Sequence, residues 1–123
     1  MNKTAEILNH FLVKRRNTML GVGPMSKNCV DAVLEITNQL NIPIFLIASR
    51  RQIECKSLGG GYCNNWDTKS FSKYVFKKDK KKLTILSRDH GGPFQGNVEI
   101  EKKNDYKTTL NQAKQSFKFD IDN

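Results

Sequence analysis

The stretch Ile44-Phe45-Leu46-Ile47-Ala48 decides the fold class, because an uninterrupted apolar run of this length is typical of a strand buried on both faces. The preceding residues, Asn41-Ile42-Pro43, end a segment from Asn28 to Leu40 with a different pattern. That segment carries apolar residues at helical spacing, namely Cys29, Val33, Ile36 and Leu40. The sequence therefore predicts a helix that leads directly into a buried strand.

The same alternation of helical and strand patterns extends to both sides of this stretch. Towards the N-terminus, a leading helix over 3–15 is followed by a short strand over 18–22. Towards the C-terminus, Asp67 is the expected N-cap of a helix that carries Phe71, Tyr74 and Val75 on one face. A strand over 83–86 and a last helix marked by Tyr106, Leu110, Ala113 and Phe117 complete the order αβαβαβα. This order predicts an α/β fold with a parallel sheet covered by helices.

Length and composition restrict the class of protein. The chain has 123 residues, which predicts a single domain over 1–123. The net charge is +9, to which the run Lys77-Lys78-Asp79-Lys80-Lys81-Lys82 contributes much of the excess. Three cysteines without CxxC spacing favour free thiols in a reducing compartment. With no recognisable signal peptide or membrane-spanning segment, we expect a cytoplasmic protein.

Polar or glycine-rich segments follow each of the predicted strands. They are Gly23-Pro24-Met25-Ser26-Lys27, Ser49-Arg50-Arg51-Gln52 and Arg88-Asp89-His90-Gly91-Gly92-Pro93. In parallel α/β sheets, ligands bind at the carboxyl ends of the strands. We therefore expect these segments to converge on one ligand-binding edge.

Two groups of residues in these segments could carry chemistry. Asp89 and His90 could act as a general acid or base beside a metal ligand, or Asp89 could cap a turn and His90 lie on the surface. Arg50, Arg51 and Arg88 could bind a phosphate or carboxylate through two hydrogen bonds each, or could be solvated charges.

Further patterns are less specific. The run from Lys77 to Lys82 could contact nucleic acid, although a solvated turn is the commoner meaning of such a run, so we do not expect this partner. Gly59-Gly60-Gly61 lacks the Lys-Ser/Thr ending of a phosphate-binding P-loop. Cys55 and Cys63 have no histidine beside them in the sequence that would favour a thiol nucleophile.

Three motifs in order carry a family resemblance: Phe45-Leu46-Ile47-Ala48-Ser49-Arg50-Arg51-Gln52, then Gly60-Gly61-Tyr62, then Ile85-Leu86-Ser87-Arg88-Asp89-His90-Gly91-Gly92-Pro93. They resemble the N-terminal part of the family of the non-catalytic, accessory subunit of class II D-tagatose-bisphosphate aldolase. The resemblance covers about residues 18–120. Arg50-Arg51 within the Ser-x-x-Gln turn and the Gly91 after His90 depart from the family pattern, so the sugar stays open.

The resemblance implies the N-terminal portion of a TIM (β/α)8 barrel, about three βα units, and a part in sugar-phosphate aldolase chemistry in carbohydrate metabolism. It implies Asp89 as the catalytic proton-transfer group and His90 as a ligand of a divalent metal, with zinc the expected ion. The implied substrate-binding residues, for a phosphorylated sugar, are Ser49, Arg50, Gln52, Arg88, Gly91 and Gly92. A catalytic aldolase subunit, or another copy in an oligomer, is the implied protein partner.

Chain length sets a further expectation. A (β/α)8 barrel takes about 250 residues, and three strands cannot close one. We therefore expect a truncated barrel that is marginally stable, binds zinc weakly and shows no aldol cleavage alone. Two alternatives stay open: a small basic nucleic-acid-binding module, and a self-sufficient α/β domain that pairs with a partner chain.

Overall fold

A computed structural model describes residues 3–15 and 18–123, and these form a three-stranded parallel sheet with five α-helices. The strands are β1 (Leu20–Val22), β2 (Ile44–Ser49) and β3 (Thr84–Asp89). The helices are α1 (Lys3–Leu8), α2 (Lys27–Leu40), α3 (Thr68–Lys78), α4 (Asn97–Glu101) and α5 (Tyr106–Asp122). A π-helical segment, Asn9–Lys14, continues α1, and a 3₁₀ turn spans Lys56–Leu58. The α/β class predicted from the sequence is confirmed.

The central strand β2 pairs in parallel with both neighbours, in the order β1-β2-β3. Along β2, alternate side chains are fully buried, beginning with Ile44 and continuing through Leu46 and Ala48. These side chains form one core with α2 and α3, whose contributions are Val30, Val33, Leu34, Phe71 and Val75. The intervening side chains of β2, Phe45 and Ile47, are only half-buried. The two faces of the sheet therefore differ, and we call them the helix face and the open face.

Local signals fix the helix ends as the sequence predicted. The Asp67 carboxylate accepts a hydrogen bond from the backbone N–H of Ser70 at 2.7 Å, and the Ser70 hydroxyl accepts one from the Asp67 N–H at 2.9 Å. This reciprocal capping box confirms Asp67 as the N-cap of α3. Asn41 ends α2 in the left-handed conformation, with φ 56°, which asparagine tolerates better than most residues.

The buried faces of two helices differ from those predicted. On α2, the predicted Ile36 and Leu40 are exposed, and the buried stripe is Val30, Val33, Leu34 and Thr37. On α5, the predicted Tyr106 and Phe117 are exposed, and the buried stripe is Thr109, Ala113 and Ser116. Small side chains on that stripe let α5 approach the polar groups beneath it, whereas the bulkier apolar residues lie to either side.

Strand and helix bounds were also corrected. Strand β3 continues to Asp89, beyond the predicted end at 86, and β1 is limited to three residues. Helix α4 was not predicted. The leading helix, predicted over 3–15, changes from α to π geometry at Asn9 and buries Ile7 and Phe11.

The predicted domain 1–123 includes residues 1–2 and 16–17, which lie outside the described ranges. In the part of the chain that is described, no helix combines the length and apolar character needed to cross a bilayer.

Candidate functional site

An open cleft of about 450 Å³ lies at the carboxyl ends of the strands, on the open face of the sheet. Its walls come from the ends of all three strands, from the segments that follow them and from the loop over 59–63, which we call the glycine loop. The lining residues are Gly21, Gly23, Ile47, Ser49, Arg51, Gln52, Tyr62, Asp89 and His90. A smaller cavity of about 100 Å³ lies on the helix face, and apolar atoms dominate its walls. The polar groups that could bind or convert a ligand converge on the open cleft.

The two-residue period of a strand determines which side chains reach this cleft. Ser49 and Asp89 are register partners at the ends of β2 and β3, and both line the cleft. Ala48 and its partner Arg88 point to the helix face, and Arg50 lies on the same side as Ala48. The sequence therefore brings Ser49, Gln52, Asp89 and His90 together and directs Arg50 and Arg88 away.

Asp89 and His90 form a pair at the edge of the cleft. The backbone N–H of His90 donates to Asp89 Oδ1 at 2.8 Å, and Asp89 Oδ2 lies 2.9 Å from His90 Nδ1. Both side chains are more than half exposed, at 59% and 65%. Because the carboxylate faces Nδ1, that nitrogen is assigned the proton of the neutral ring, and Nε2 is left as an acceptor or ligand atom.

His90 also has an uncommon backbone conformation, with φ 47°. A non-glycine residue in the left-handed region costs about 1–2 kcal/mol relative to ordinary conformations. The contacts of the surrounding loop therefore stabilise a conformation that the local sequence does not favour.

The Ser49-x-x-Gln52 turn closes the end of β2 through reciprocal hydrogen bonds. The Ser49 N–H donates to Gln52 Oε1 at 2.8 Å, and the Gln52 N–H donates to Ser49 Oγ at 3.3 Å. The remaining polar atom of that side chain, Gln52 Nε2, lies 3.0 Å from the Met25 sulfur. Since a thioether is a weak acceptor, this N–H is the donor in the turn that a ligand oxygen could engage.

Arg51 is the arginine of this turn that faces the cleft. Its exposed side chain forms no hydrogen bond or ion pair with any described residue. Tyr62, also exposed, lines the same cleft with its hydroxyl 3.7 Å from the Met25 sulfur. Arg51 was one of the three arginines that the sequence suggested as ligands of a phosphate or carboxylate, but neither Arg51 nor Tyr62 was among the substrate-binding residues implied by the resemblance.

Arg50, which the resemblance implies as a substrate-binding residue, is buried, and its side chain does not line the cleft. The side chain is 1% exposed, and its guanidinium contacts Glu54 Oε2 and Glu99 Oε1, each at 2.5 Å. Its Nη1 donates to the carbonyl of Gly92 at 3.1 Å. Burial disfavours the charged form, but the interactions with Glu99 and Glu54 outweigh this and raise the pKa of Arg50.

Arg88 is also bonded internally and does not line the cleft. Its Nε and Nη2 donate to the two carboxylate oxygens of Asp120 in α5, at 2.8 and 2.6 Å. Its Nη1 donates to the carbonyl of Ile53 at 2.6 Å. This bidentate ion pair attaches α5 to the sheet, and the substrate-binding role implied for Arg88 stays a prediction.

The two glycines after His90 have different surroundings. A Cβ on Gly91 would lie 2.5 Å from Phe117, so α5 packs directly on this backbone. Gly92 has open space on its Cβ side, and its carbonyl accepts the hydrogen bond from Arg50. Neither glycine lines the cleft, and their implied role in substrate binding stays a prediction.

The described residues do not supply a full set of protein ligands for the expected zinc ion. Within residues 3–15 and 18–123, no group of three or more His, Cys, Asp or Glu side chains could hold a metal ion. His90 and Asp89 give two ligand side chains, and catalytic zinc normally takes three from the protein. These residues alone do not fit a zinc site, and the role of His90 as a zinc ligand stays a prediction that needs further ligands.

The glycine loop supports the turn rather than forming a phosphate-binding loop. Gly61 lies so close to the turn that a Cβ would be 2.0 Å from the carbonyl oxygen of Gln52. The N–H groups of Tyr62 and Cys63 donate to the carbonyls of Arg51 and Gln52, at 3.0 and 3.1 Å. The loop thus places Tyr62 beside the cleft.

Comparisons of the chain with protein-family models, with curated proteins and with solved structures found no match.

Proposed function

We propose that this chain is a phosphorylated-sugar-binding part of a class II aldolase-like barrel, of the tagatose-bisphosphate aldolase accessory type. The observation that carries the proposal is the convergence of Ser49, Gln52, Asp89 and His90 on one cleft at the carboxyl ends of parallel strands. These are residues of two of the three motifs on which the family resemblance rests. Tyr62, from the third motif, lines the same cleft.

The sheet topology supports the barrel assignment. The parallel order β1-β2-β3 follows the chain, and the core joins α2 and α3 to one face of β2. Helix α5 lies on that same side, where it binds Arg88. Sequential parallel strands with α2, α3 and α5 on one face are consistent with the repeating arrangement of a (β/α)8 barrel, whose active site lies at the carboxyl ends of the strands.

The groups of the cleft suit a polyhydroxylated anion. Arg51 supplies the positive charge for a phosphate, and Gln52 Nε2 and the Tyr62 hydroxyl are donors for phosphate or hydroxyl oxygens. Asp89 keeps an exposed carboxylate that can accept a proton or a sugar hydroxyl. The chemistry assigned to Asp89 is proton transfer, with His90 oriented by its contact with Asp89.

A chain of this kind would act with further βα units or with a catalytic aldolase subunit, in the cytoplasm. The three cysteines are free, as a reducing compartment requires. We expect no aldol cleavage by this chain alone.

Ligand titration tests the proposal. Chemical shifts in ¹H–¹⁵N NMR spectra should change at residues of the cleft on addition of tagatose 1,6-bisphosphate, and less on addition of unphosphorylated tagatose. Asp89→Asn and His90→Ala should each weaken binding about tenfold, as expected for loss of one charge-assisted contact. The control is a triple variant of the lysine run, Lys80→Gln, Lys81→Gln and Lys82→Gln, which should leave the affinity unchanged.

Two results would contradict the proposal. One is an affinity for the sugar bisphosphate that is unchanged in both cleft variants. The other is salt-dependent binding of duplex DNA or RNA that disappears in the lysine variant, which would favour the nucleic-acid-binding alternative.

A further inference from the structure

A buried guanidinium connects the segments that follow β2 and β3. Arg50 Nε donates to Glu54 in the turn after β2, Nη2 contacts Glu99 in α4, and Nη1 donates to the Gly92 carbonyl. The side chains of Arg50, Glu54 and Glu99 are 1%, 1% and 2% exposed. We call these three residues and the Gly92 carbonyl the arginine cluster.

The arginine cluster is held in place by its neighbours. Glu54 Oε1 accepts hydrogen bonds from the Cys55 N–H and the Ser116 hydroxyl, both at 2.8 Å, so the carboxylate cannot turn without losing them. Gly96 leaves the space that the guanidinium occupies, because a Cβ there would lie 2.9 Å from Arg50 Nη2. The position of Arg50 is therefore fixed from both sides.

The cluster acts on the segment that carries His90. Only Gly91 lies between His90 and the Gly92 whose carbonyl Arg50 binds, and a Gly-Gly pair has more conformational freedom than any other dipeptide. His90 itself has φ 47°. The hydrogen bond from Arg50 to the Gly92 carbonyl, two residues beyond His90, therefore restricts this loop to the conformation in which His90 contacts Asp89 and faces the cleft.

We propose that Arg50 is a positioning residue, which holds the loop after β3 so that His90 stays at the cleft without itself touching a ligand. Only the identity of the cleft as a ligand site rests on the function proposed above. The effect on the loop is a property of the ligand-free chain.

The test compares Arg50→Lys with wild type in the absence of ligand. Lysine keeps the charge but cannot reach three separate acceptors from a planar fork. Amide hydrogen exchange in α4 and the turn after it, at Ile100, Lys102 and Asn104, should become about tenfold faster. NMR signals of His90, Gly91 and Gly92 should shift or broaden, while those of α2 stay at their wild-type positions.

The control is Val33→Ala. Val33 lies on the buried face of α2, so its truncation creates a cavity in the core, at a position distant in the sequence from the arginine cluster. This variant should make amide hydrogen exchange faster throughout the chain, without selectively changing the NMR signals of residues 90–104. A purely structural Arg50 would give the same uniform pattern in Arg50→Lys, and that result would overturn the proposal. An unchanged loop in a folded Arg50→Lys variant would overturn it as well.

A second variant covers the case in which Arg50→Lys does not fold. In the triple variant Arg50→Met/Glu54→Gln/Glu99→Leu all three buried charges are replaced by neutral side chains of similar size, which is often tolerated. The amide oxygen at position 54 can still accept the hydrogen bonds from the Cys55 N–H and the Ser116 hydroxyl. Faster amide hydrogen exchange confined to residues 90–104 in this variant would support the proposal, and wild-type exchange rates in that segment would refute it.

A binding measurement separates this inference from the proposed function. With tagatose 1,6-bisphosphate as the probe, Arg50→Lys should weaken binding at least threefold, although the residue does not line the cleft. If wild type fails to bind the probe, the proposed function fails, and the exchange data still decide the role of Arg50. If wild type binds and Arg50→Lys binds equally well, Arg50 does not position the site.

Discussion

Replacing Gly61 with alanine is expected to disrupt the turn after β2, and its neighbour Gly60 provides the matched control. A Cβ on Gly61 would lie 2.0 Å from the Gln52 carbonyl oxygen, 2.3 Å from its carbon and 2.6 Å from the Ile53 nitrogen. All three are backbone atoms, so no side-chain rotation relieves the clash. On Gly60, a Cβ meets nothing within 4 Å, but the residue has φ 68°. The two substitutions therefore separate steric from conformational effects.

The magnitudes follow from these contacts. To reach ordinary van der Waals distance at Gly61, the two segments must separate by more than about 1 Å. This movement breaks two backbone hydrogen bonds, worth about 1 kcal/mol each, in addition to about 1–3 kcal/mol of overpacking. We expect Gly61→Ala to lower the free energy of unfolding by about 3–5 kcal/mol. Gly60→Ala should lower it by about 1 kcal/mol, because only the left-handed conformation is disfavoured.

Urea unfolding, followed by the fluorescence of the buried Trp66, gives the comparison. With a slope of about 1.5 kcal/mol/M, the midpoint of Gly61→Ala should fall by about 2 M or more, or the cooperative transition should be lost. Equal midpoints for the two alanine variants would refute the packing of the glycine loop against the Gln52 turn.

Two further predictions concern ionisable groups. Hydrogen bonds from the Ser70 backbone and hydroxyl lower the pKa of Asp67. Its contribution to stability is therefore present above the ordinary value of about 3.9 and is lost as the pH falls through the lower folded value, so Asp67→Asn should flatten the decline in thermal unfolding temperature below pH 4. Among the thiols, burial raises the pKa of Cys55 and of Cys63, so iodoacetamide should modify the more exposed Cys29 first. Mass spectrometry of the intact chain would show this order, and rapid labelling of Cys63 in the folded protein would contradict its burial.

The strand pattern of the sequence was enough to predict the α/β class. Apolar runs such as the one from Ile44 to Ala48 are typical of strands in a layered sheet, and their alternation with helical patterns leaves few topologies. The expected burial of both faces of this strand is seen in full on the helix face only. Helix α4 was not predicted, because its five residues are too few to show a helical pattern. In addition, its N-cap residue is Gly96, which makes no side-chain capping hydrogen bond, so the usual N-cap signal is missing from the sequence. The buried face of α5 was misassigned because it consists largely of small polar residues, such as Thr109 and Ser116, which hydrophobic periodicity does not detect.

The sequence predicted that Ser49, Asp89 and His90 lie near one another, but it did not predict the surroundings of Arg50 and Arg88. The rule that loops of a parallel sheet meet at the carboxyl edge placed Ser49, Asp89 and His90 near one another. Arg50 and Arg88 were assigned to the same edge. However, Arg50 is two residues from buried Ala48 and Arg88 is four from buried Thr84, and side chains an even number of residues apart point to the same face of a strand. Their carboxylate partners in α4 and α5 are distant in the sequence, and only the folded chain reveals them.

The two adjacent arginines of the turn after β2 have different surroundings, so we expect different evolutionary constraints on them. Position 50 supports two buried carboxylates, so most substitutions there leave uncompensated charge and are removed by selection for folding. Position 51 carries a solvent-facing charge without a partner among the described residues, so its replacement has little effect on stability and directly alters the charge of the cleft. Under the proposed function, ligand preference can diverge at one codon while the codon beside it stays fixed, and we expect relatives with different substrates to differ at position 51 before they differ at position 50.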